Sequence, residues 1–286
     1  MRLAEAAAQT RAPQHVVEKD YALSYVLAGI AAQPELSGAL VLKGGGALKK
    51  LFFGQYRFSE DLDYSTLDAP KGEALQQTLN AAMAKTGGLL SAHGPFWVRT
   101  RAHLERDPHP QGQEAFIVHV QFPWHPAPLC RIKIEVSHDE QVLLPPAVRH
   151  LIHEYGEDLM DVRVRCYQLE EIVAEKLRTL LQTQQKLSTR GWSRPRARDY
   201  YDLWRLLTGF GSSIEPERFV ALLDRKCQHR QVSFRTVDDF FGEDLLAQVR
   251  THWNTSLGVF VPGLPPCDDV LNGLRVLLTG LVSRPA

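Results

Sequence analysis

Hydrophobic and polar positions follow two different periods along this chain, and the change of period divides it. Up to about residue 137, short apolar or alternating runs predict strands. Ala39-Leu40-Val41-Leu42 is an unbroken apolar run, as expected of a strand buried on both faces. From Arg57 to Tyr64 the residues alternate. Arg57, Ser59, Asp61 and Asp63 share one face, while Phe58, Leu62 and Tyr64 take the other, with Glu60 between them. Phe96–Thr100, Ala115–Phe122 and Cys130–Ser137 continue the strand pattern. In the last of these, Cys130, Ile132, Ile134 and Val136 oppose Arg131, Lys133 and Glu135. Helices are interleaved: His15 to Gln33, with Val16, Val17, Tyr21, Leu23, Tyr25, Val26 and Leu27 marking its apolar side; Ala47–Phe53, ended by Gly54; and about Lys71–Thr86, ended by Gly87-Gly88.

After a turn-rich region, Leu143–Val164, the period becomes helical. Leu169, Ile172, Val173, Leu177, Leu180 and Leu181 form a stripe at helical spacing. A helix over Ala197–Leu207 follows Pro195, and three more are predicted at about 215–229, 236–256 and 268–282. The pattern is that of an α+β chain: a mixed sheet with flanking helices over residues 1–155, then a mainly helical domain over 156–286.

Composition narrows the function classes. At 286 residues, 44% hydrophobic and 23% charged, the chain has ample core for one large or two ordinary domains. Thirty-three basic and 33 acidic residues cancel, so contact with a polyanion must come from a local patch. The four cysteines, Cys130, Cys166, Cys227 and Cys267, are far apart and contain no Cys-x-x-Cys. That spacing argues against a zinc site or a disulfide framework and for the reducing cytoplasm. The start has no apolar stretch of signal-peptide length, and no run of 18 apolar residues spans a membrane.

The candidate chemistry gathers in Val41–Tyr64. Lys43 and the triplet Gly44-Gly45-Gly46 follow the first strand, where glycines let backbone N–H groups approach a phosphate at a helix N-terminus. Asp61 and Asp63 lie about 6–7 Å apart on one strand face. At an effective dielectric near 20 they repel by roughly 2–3 kcal/mol, so a hard divalent cation between them is favoured. Asp-x-Asp alone suits an exposed strand edge better than a cation site; the glycine turn, helix and basic residue leading into it reverse that balance in favour of the cation. Lys176 sits within the apolar stripe, where an ammonium is costly unless an anion is near. It either snorkels to the surface or meets a phosphate. Lys186, Arg190, Arg194, Arg196 and Arg198, with Trp192 among them, form the densest basic segment, either a solvated loop or a contact for RNA phosphates. Asp199 and Asp202 share a helix face.

Lys43-Gly44-Gly45, Ala47-Leu48 and Arg57-x-Ser59-x-Asp61-Leu62-Asp63 resemble the AbiEii toxin family, MenT-like members of the polymerase β-type nucleotidyltransferase superfamily. Val17-Glu18-Lys19-Asp20-Tyr21, Ala174-Glu175-Lys176-Leu177 and Arg198-Asp199-Tyr200-Tyr201-Asp202-Leu203 are similar to further family motifs. One departure is Gly46, where the family usually carries Thr or Ser. The resemblance implies a polymerase β-type domain and a toxin that transfers NMP from an NTP to RNA, with the tRNA 3′ end as acceptor and a cognate antitoxin as partner. It implies Mg²⁺, or Mn²⁺, held by Asp61, Asp63 and Glu135. It further implies a triphosphate cradled by Lys43, Gly44, Gly45, Gly46, Arg57 and Ser59 and met by Lys176. Asp199 is then the catalytic acid of its helix, and Asp202 and Lys133 are supporting residues. Nucleotidyl transfer to a small hydroxylated molecule and a non-catalytic nucleotide-binding module are the rival readings.

Overall fold

The structure is a computed structural model that describes residues 3–104, 112–156 and 158–282. The chain divides into two compact units, Met1–Tyr167 and Gln168–Ala286. The division falls after Tyr167, where 155 was expected, because the stretch read as turn-rich supplies two strands to the first unit.

The first unit opens with α1 (Leu3–Thr10), α2 (Gln14–Ala31) and a single turn, α3 (Pro34–Ser37). Strand β1 (Leu40–Lys43) runs into α4 (Gly44–Ala47), which passes directly into a π turn, Leu48–Phe52. Then come β2 (Asp61–Thr66), α5 (Gly72–Ser91), β3 (Trp97–His103), β4 (Gln113–Gln121), β5 (Cys130–Ser137), β6 (Ala147–His150) and β7 (Arg163–Cys166). The strands form one mixed sheet in the order β3-β4-β5-β2-β1-β7-β6. β2 is parallel to β5 and antiparallel to β1.

One sheet face is the core. Leu62 and Tyr64, Phe116, Val118 and Val120, and Ile132, Ile134 and Val136 are buried there, beneath α2 and α5. Each contributes on the order of 1.5–3 kcal/mol by leaving water. Alternation therefore turns the odd-numbered residues of β2, β3, β4 and β5 to the opposite face.

Three expectations are corrected. β2 begins at Asp61 rather than Arg57, because its ladders with β1 and β5 reach no further back than Lys43↔Asp63 and Asp61↔Lys133. Arg57 and Ser59 therefore precede the strand, although both are buried. α5 does not stop at Gly87-Gly88 but runs to Ser91. Burial of Met83, Thr86 and Leu90 outweighs the roughly 1 kcal/mol that each glycine costs a helix. α2 is not amphipathic, being buried on nearly every side, charged residues included. Asp20 there accepts from Lys50 at 2.5 Å and from the Tyr155 hydroxyl at 2.8 Å.

α2 and α5 cross so closely that a Cβ on Gly29 would meet the Thr86 Oγ1 at 2.0 Å and the Ala82 carbonyl at 2.6 Å. Gly29→Ala should thus destabilise the protein by about 1–3 kcal/mol, the cost of overpacking. A denaturant midpoint equal to the wild type's would show that the helices separate freely.

The second unit is helical: α6 (Leu169–Arg190), α7 (Ala197–Phe210), α8 (Pro216–His229), α9 (Glu243–Leu257) and α10 (Cys267–Val282). α6 ends on Gly191, whose φ of 72° is the left-handed cap that glycine supplies without strain. Proline opens α8 at its first turn. A buried Lys226–Glu171 ion pair at 2.9 Å ties α8 to α6. No helix among the described residues is long and apolar enough to cross a membrane.

Candidate active site

In the first unit, strand register assembles what the sequence spread over ninety residues. Lys43, Asp63 and Glu135 are direct partners across β1, β2 and β5, and Asp61 faces Lys133 one step away. Adjacent strands lie about 4.8 Å apart. Side chains of partnered residues therefore share a face, opposite the packed core. Lys133 pairs with Glu135 along β5.

Asp63 records the crowding. Burial, then Glu135 and Asp61, push its carboxyl up to about 8, against the pull of Lys43. The glycine turn closes on it: a Cβ on Gly44, whose φ is +67°, would come within 2.8 Å of the Asp63 Oδ2. A Cβ on Gly45 would meet the Arg57 guanidinium at 2.6 Å, so Arg57 reaches the turn although it lies outside β2. Ser59 donates to the Asp61 carbonyl at 3.4 Å.

Among the described residues no three carboxylate, imidazole or thiolate side chains converge as a ready-made metal set. The donor chemistry still fits a hard divalent cation. Burial, with Glu135 and Asp61 nearby, pushes the Asp63 carboxyl up to about 8, and a cation taking oxygen ligands would remove that conflict.

The second unit has a cluster of its own. Lys176 on α6 lies 2.7 Å from Asp199 and 2.9 Å from Asp202, both on α7. The lysine of the apolar stripe thus neither snorkels nor stands unpartnered. Asp202 is fully buried, whereas Asp199 keeps 18% of its side chain exposed. Burial alone would raise the Asp199 carboxyl, but Lys176 and then Arg196 hold it below the ordinary range.

The family model for the nucleotidyl transferase AbiEii toxin of type IV toxin–antitoxin systems matches residues 25–273. This chain belongs to the AbiEii family. As such it is a nucleotidyltransferase toxin, with an NTP substrate and an antitoxin partner implied. A similar solved structure is MenT4, a nucleotidyltransferase toxin from Mycobacterium tuberculosis H37Rv, with a TM-score of 0.69 and 18% identity. That match covers 100% of this chain and 91% of MenT4, and at that identity the likeness is one of fold. No curated protein matches the sequence.

Gly46, where the resemblance implied Thr or Ser, leaves only tight room for a side chain. A Cβ there would approach the Asp61 carbonyl to 3.0 Å and Leu62 to 3.4 Å. The basic run also differs from expectation. Lys186 and Arg190 belong to α6, and Arg190 and Arg194 are exposed. Arg196 donates to Thr183 at 2.8 Å, and Arg198 donates to the Ser256 carbonyl while stacking on Phe260. Those two guanidinium groups make contacts within the second unit. Sequence reasoning also missed Lys49 and Lys50, which look like a surface pair. Lys49 is bound to Glu154 and the Gly54 carbonyl, and Lys50 to Asp20. Their one available signal was position, directly after an apolar helix start.

Proposed function

We propose that this AbiEii toxin transfers a nucleoside monophosphate from an NTP to the 3′ end of a tRNA in the cytoplasm, and that the modification makes it growth-inhibitory. The observation that carries the reading is the crowded row Lys43, Asp63 and Glu135, with Asp61 beside it and the glycine turn closed upon it. Asp61, Asp63 and Glu135 would hold Mg²⁺ or Mn²⁺, which when bound polarises the α-phosphate and lowers the pKa of the attacking hydroxyl.

The chain's own groups have distinct tasks. Lys43 and Arg57 bind the triphosphate as point charge and planar fork. Gly44, Gly45 and Gly46 allow close backbone approach to it. Ser59, through the Asp61 carbonyl, and Lys133, through Glu135, orient the carboxylates. Lys176, aligned by Asp199 and Asp202, offsets charge on the departing pyrophosphate. In the transfer, the acceptor hydroxyl oxygen bonds to the α-phosphorus and the bond to the bridging β-oxygen breaks. Pyrophosphate leaves, and the hydroxyl proton passes to water.

Incubation with each α-labelled NTP, Mg²⁺ and total tRNA should place label on tRNA, and removal of Mg²⁺ should prevent it. Expression of the wild type, but not of Asp61→Ala, should slow bacterial growth. Label appearing only on a small hydroxylated molecule, or on nothing, would overturn the tRNA assignment.

A further inference from the structure

The sheet face that carries the carboxylates continues across β5, β4 and β3, and its composition there changes sign. One cross-strand row reads Asp61, Lys133, Ile117 and Arg101; the next reads Arg131, His119 and Arg99. Arg99, Arg101 and Arg131 are exposed, and among the described residues none of the three has a carboxylate partner. His119 lies between them, with a buried Nε2 that has no hydrogen-bond partner among the described residues. Burial, then Arg101 and Arg131, keep its imidazole below the ordinary pKa, so it adds no cation to the repulsion. Trp97 occupies the same face of β3, two residues before Arg99, and is 44% exposed.

Arg99 and Arg101 are two residues apart on one face of β3, and Arg131 lies two strand intervals away on β5, across His119. Like charges at such spacings repel, and a polyanion laid along them would offset that repulsion. The spacing suits a chain of phosphates: Arg101 lies three strand intervals, about 14 Å, from Asp61. An exposed indole beside such a row is what stacks an unpaired base.

We propose that this face of β3, β4 and β5 is the docking surface for the single-stranded end of the RNA acceptor, with phosphates on Arg99, Arg101 and Arg131 and a base on Trp97. This rests on the RNA-acceptor reading above and adds where the acceptor lies, from the edge strand inward to Asp61. It would also give a chain of zero net charge a local cationic surface for RNA.

The test uses the full chain and a labelled single-stranded RNA oligonucleotide with a free 3′ hydroxyl, bound without NTP over a range of salt concentrations. Arg99→Gln, Arg101→Gln and Arg131→Gln combined should weaken binding at least about tenfold near 0.1 M salt. The log–log salt slope should flatten by about 2, the value for three phosphate contacts on a single strand. Trp97→Ala should weaken binding with the slope unchanged. NTP affinity should match the wild type, and the melting temperature of the triple variant should not fall, because its side chains lie at the surface and their removal relieves repulsion. An unaltered affinity and slope in the triple variant would overturn the inference. So would weaker binding of polyglutamate with RNA binding intact, because the face would then suit an acidic protein. The two readings fail separately. Transfer to RNA that persists with an unaltered slope removes only this docking surface, and RNA binding that depends on the arginines without any transfer removes only the proposed reaction.

Discussion

Asp63→Asn should lower nucleotidyl transfer by at least about a thousandfold while raising the melting temperature of the metal-free protein. Removing one carboxylate from a cation site forfeits several kcal/mol of transition-state stabilisation, at about 1.4 kcal/mol for each tenfold in rate. The stability change has the opposite sign. The Asp63 carboxyl is pushed up to about 8 by burial, Glu135 and Asp61, so at neutral pH the fold is maintaining a group that would rather ionise in water. An amide of the same shape removes that conflict, and a gain of 1–2 kcal/mol should appear as a rise of several degrees. Mg²⁺ should raise the wild type's melting temperature and leave that of Asp63→Asn nearly unchanged, a readout independent of turnover. Full activity in Asp63→Asn, or a metal-dependent melting shift equal to the wild type's, would remove Asp63 from the cation site.

Much of this site was legible because strand alternation is a local property. The period of two in Asp61-Leu62-Asp63 and in Cys130–Ser137 is strong enough to assign faces without knowing the partners. What alternation cannot give is register. Glu135 faces Asp63, rather than Asp61, only because β2 and β5 pair as they do. The false extension of β2 back to Arg57 has the same origin, since the alternation persists where the ladder has ended. β6 and β7 were hidden for a different reason: each is four residues long, too short for any period to emerge amid prolines and charges. The basic run is conspicuous because contiguous charge stands out in a sequence, but its partners do not. Arg196 and Arg198 find their partners in Thr183, Ser256 and Phe260, contacts that no local pattern announces. The converse holds for Arg99, Arg101 and Arg131, thirty residues apart and inconspicuous until β3, β4 and β5 align them.

Lys176→Met should destabilise the second unit by about 3–5 kcal/mol, the range for removing one partner from a buried ion pair. Methionine preserves the apolar stripe of α6, but it withdraws the ammonium from both Asp199 and Asp202. A loss of activity in this variant alone therefore cannot separate a lysine that meets triphosphate from one that holds two helices together. The double variant Lys176→Met, Asp202→Asn separates them. The neutral amide needs no counter-charge at a position that is fully buried, so the denaturant midpoint should recover much of its loss. If Lys176 meets the departing pyrophosphate, turnover should stay low in the recovered protein. If its role is structural, turnover should return with stability. The acid limb supplies a further check. Asp199 is held below its ordinary pKa by Lys176 and Arg196. Its contribution is thus present above the unfolded value near 3.9 and is lost as pH falls through the folded value. Without Lys176 that loss should begin at a higher pH. A single variant that melts like the wild type, at neutral pH and in acid alike, would show that the Lys176 pair contributes nothing to folding and would leave phosphate contact as its remaining role.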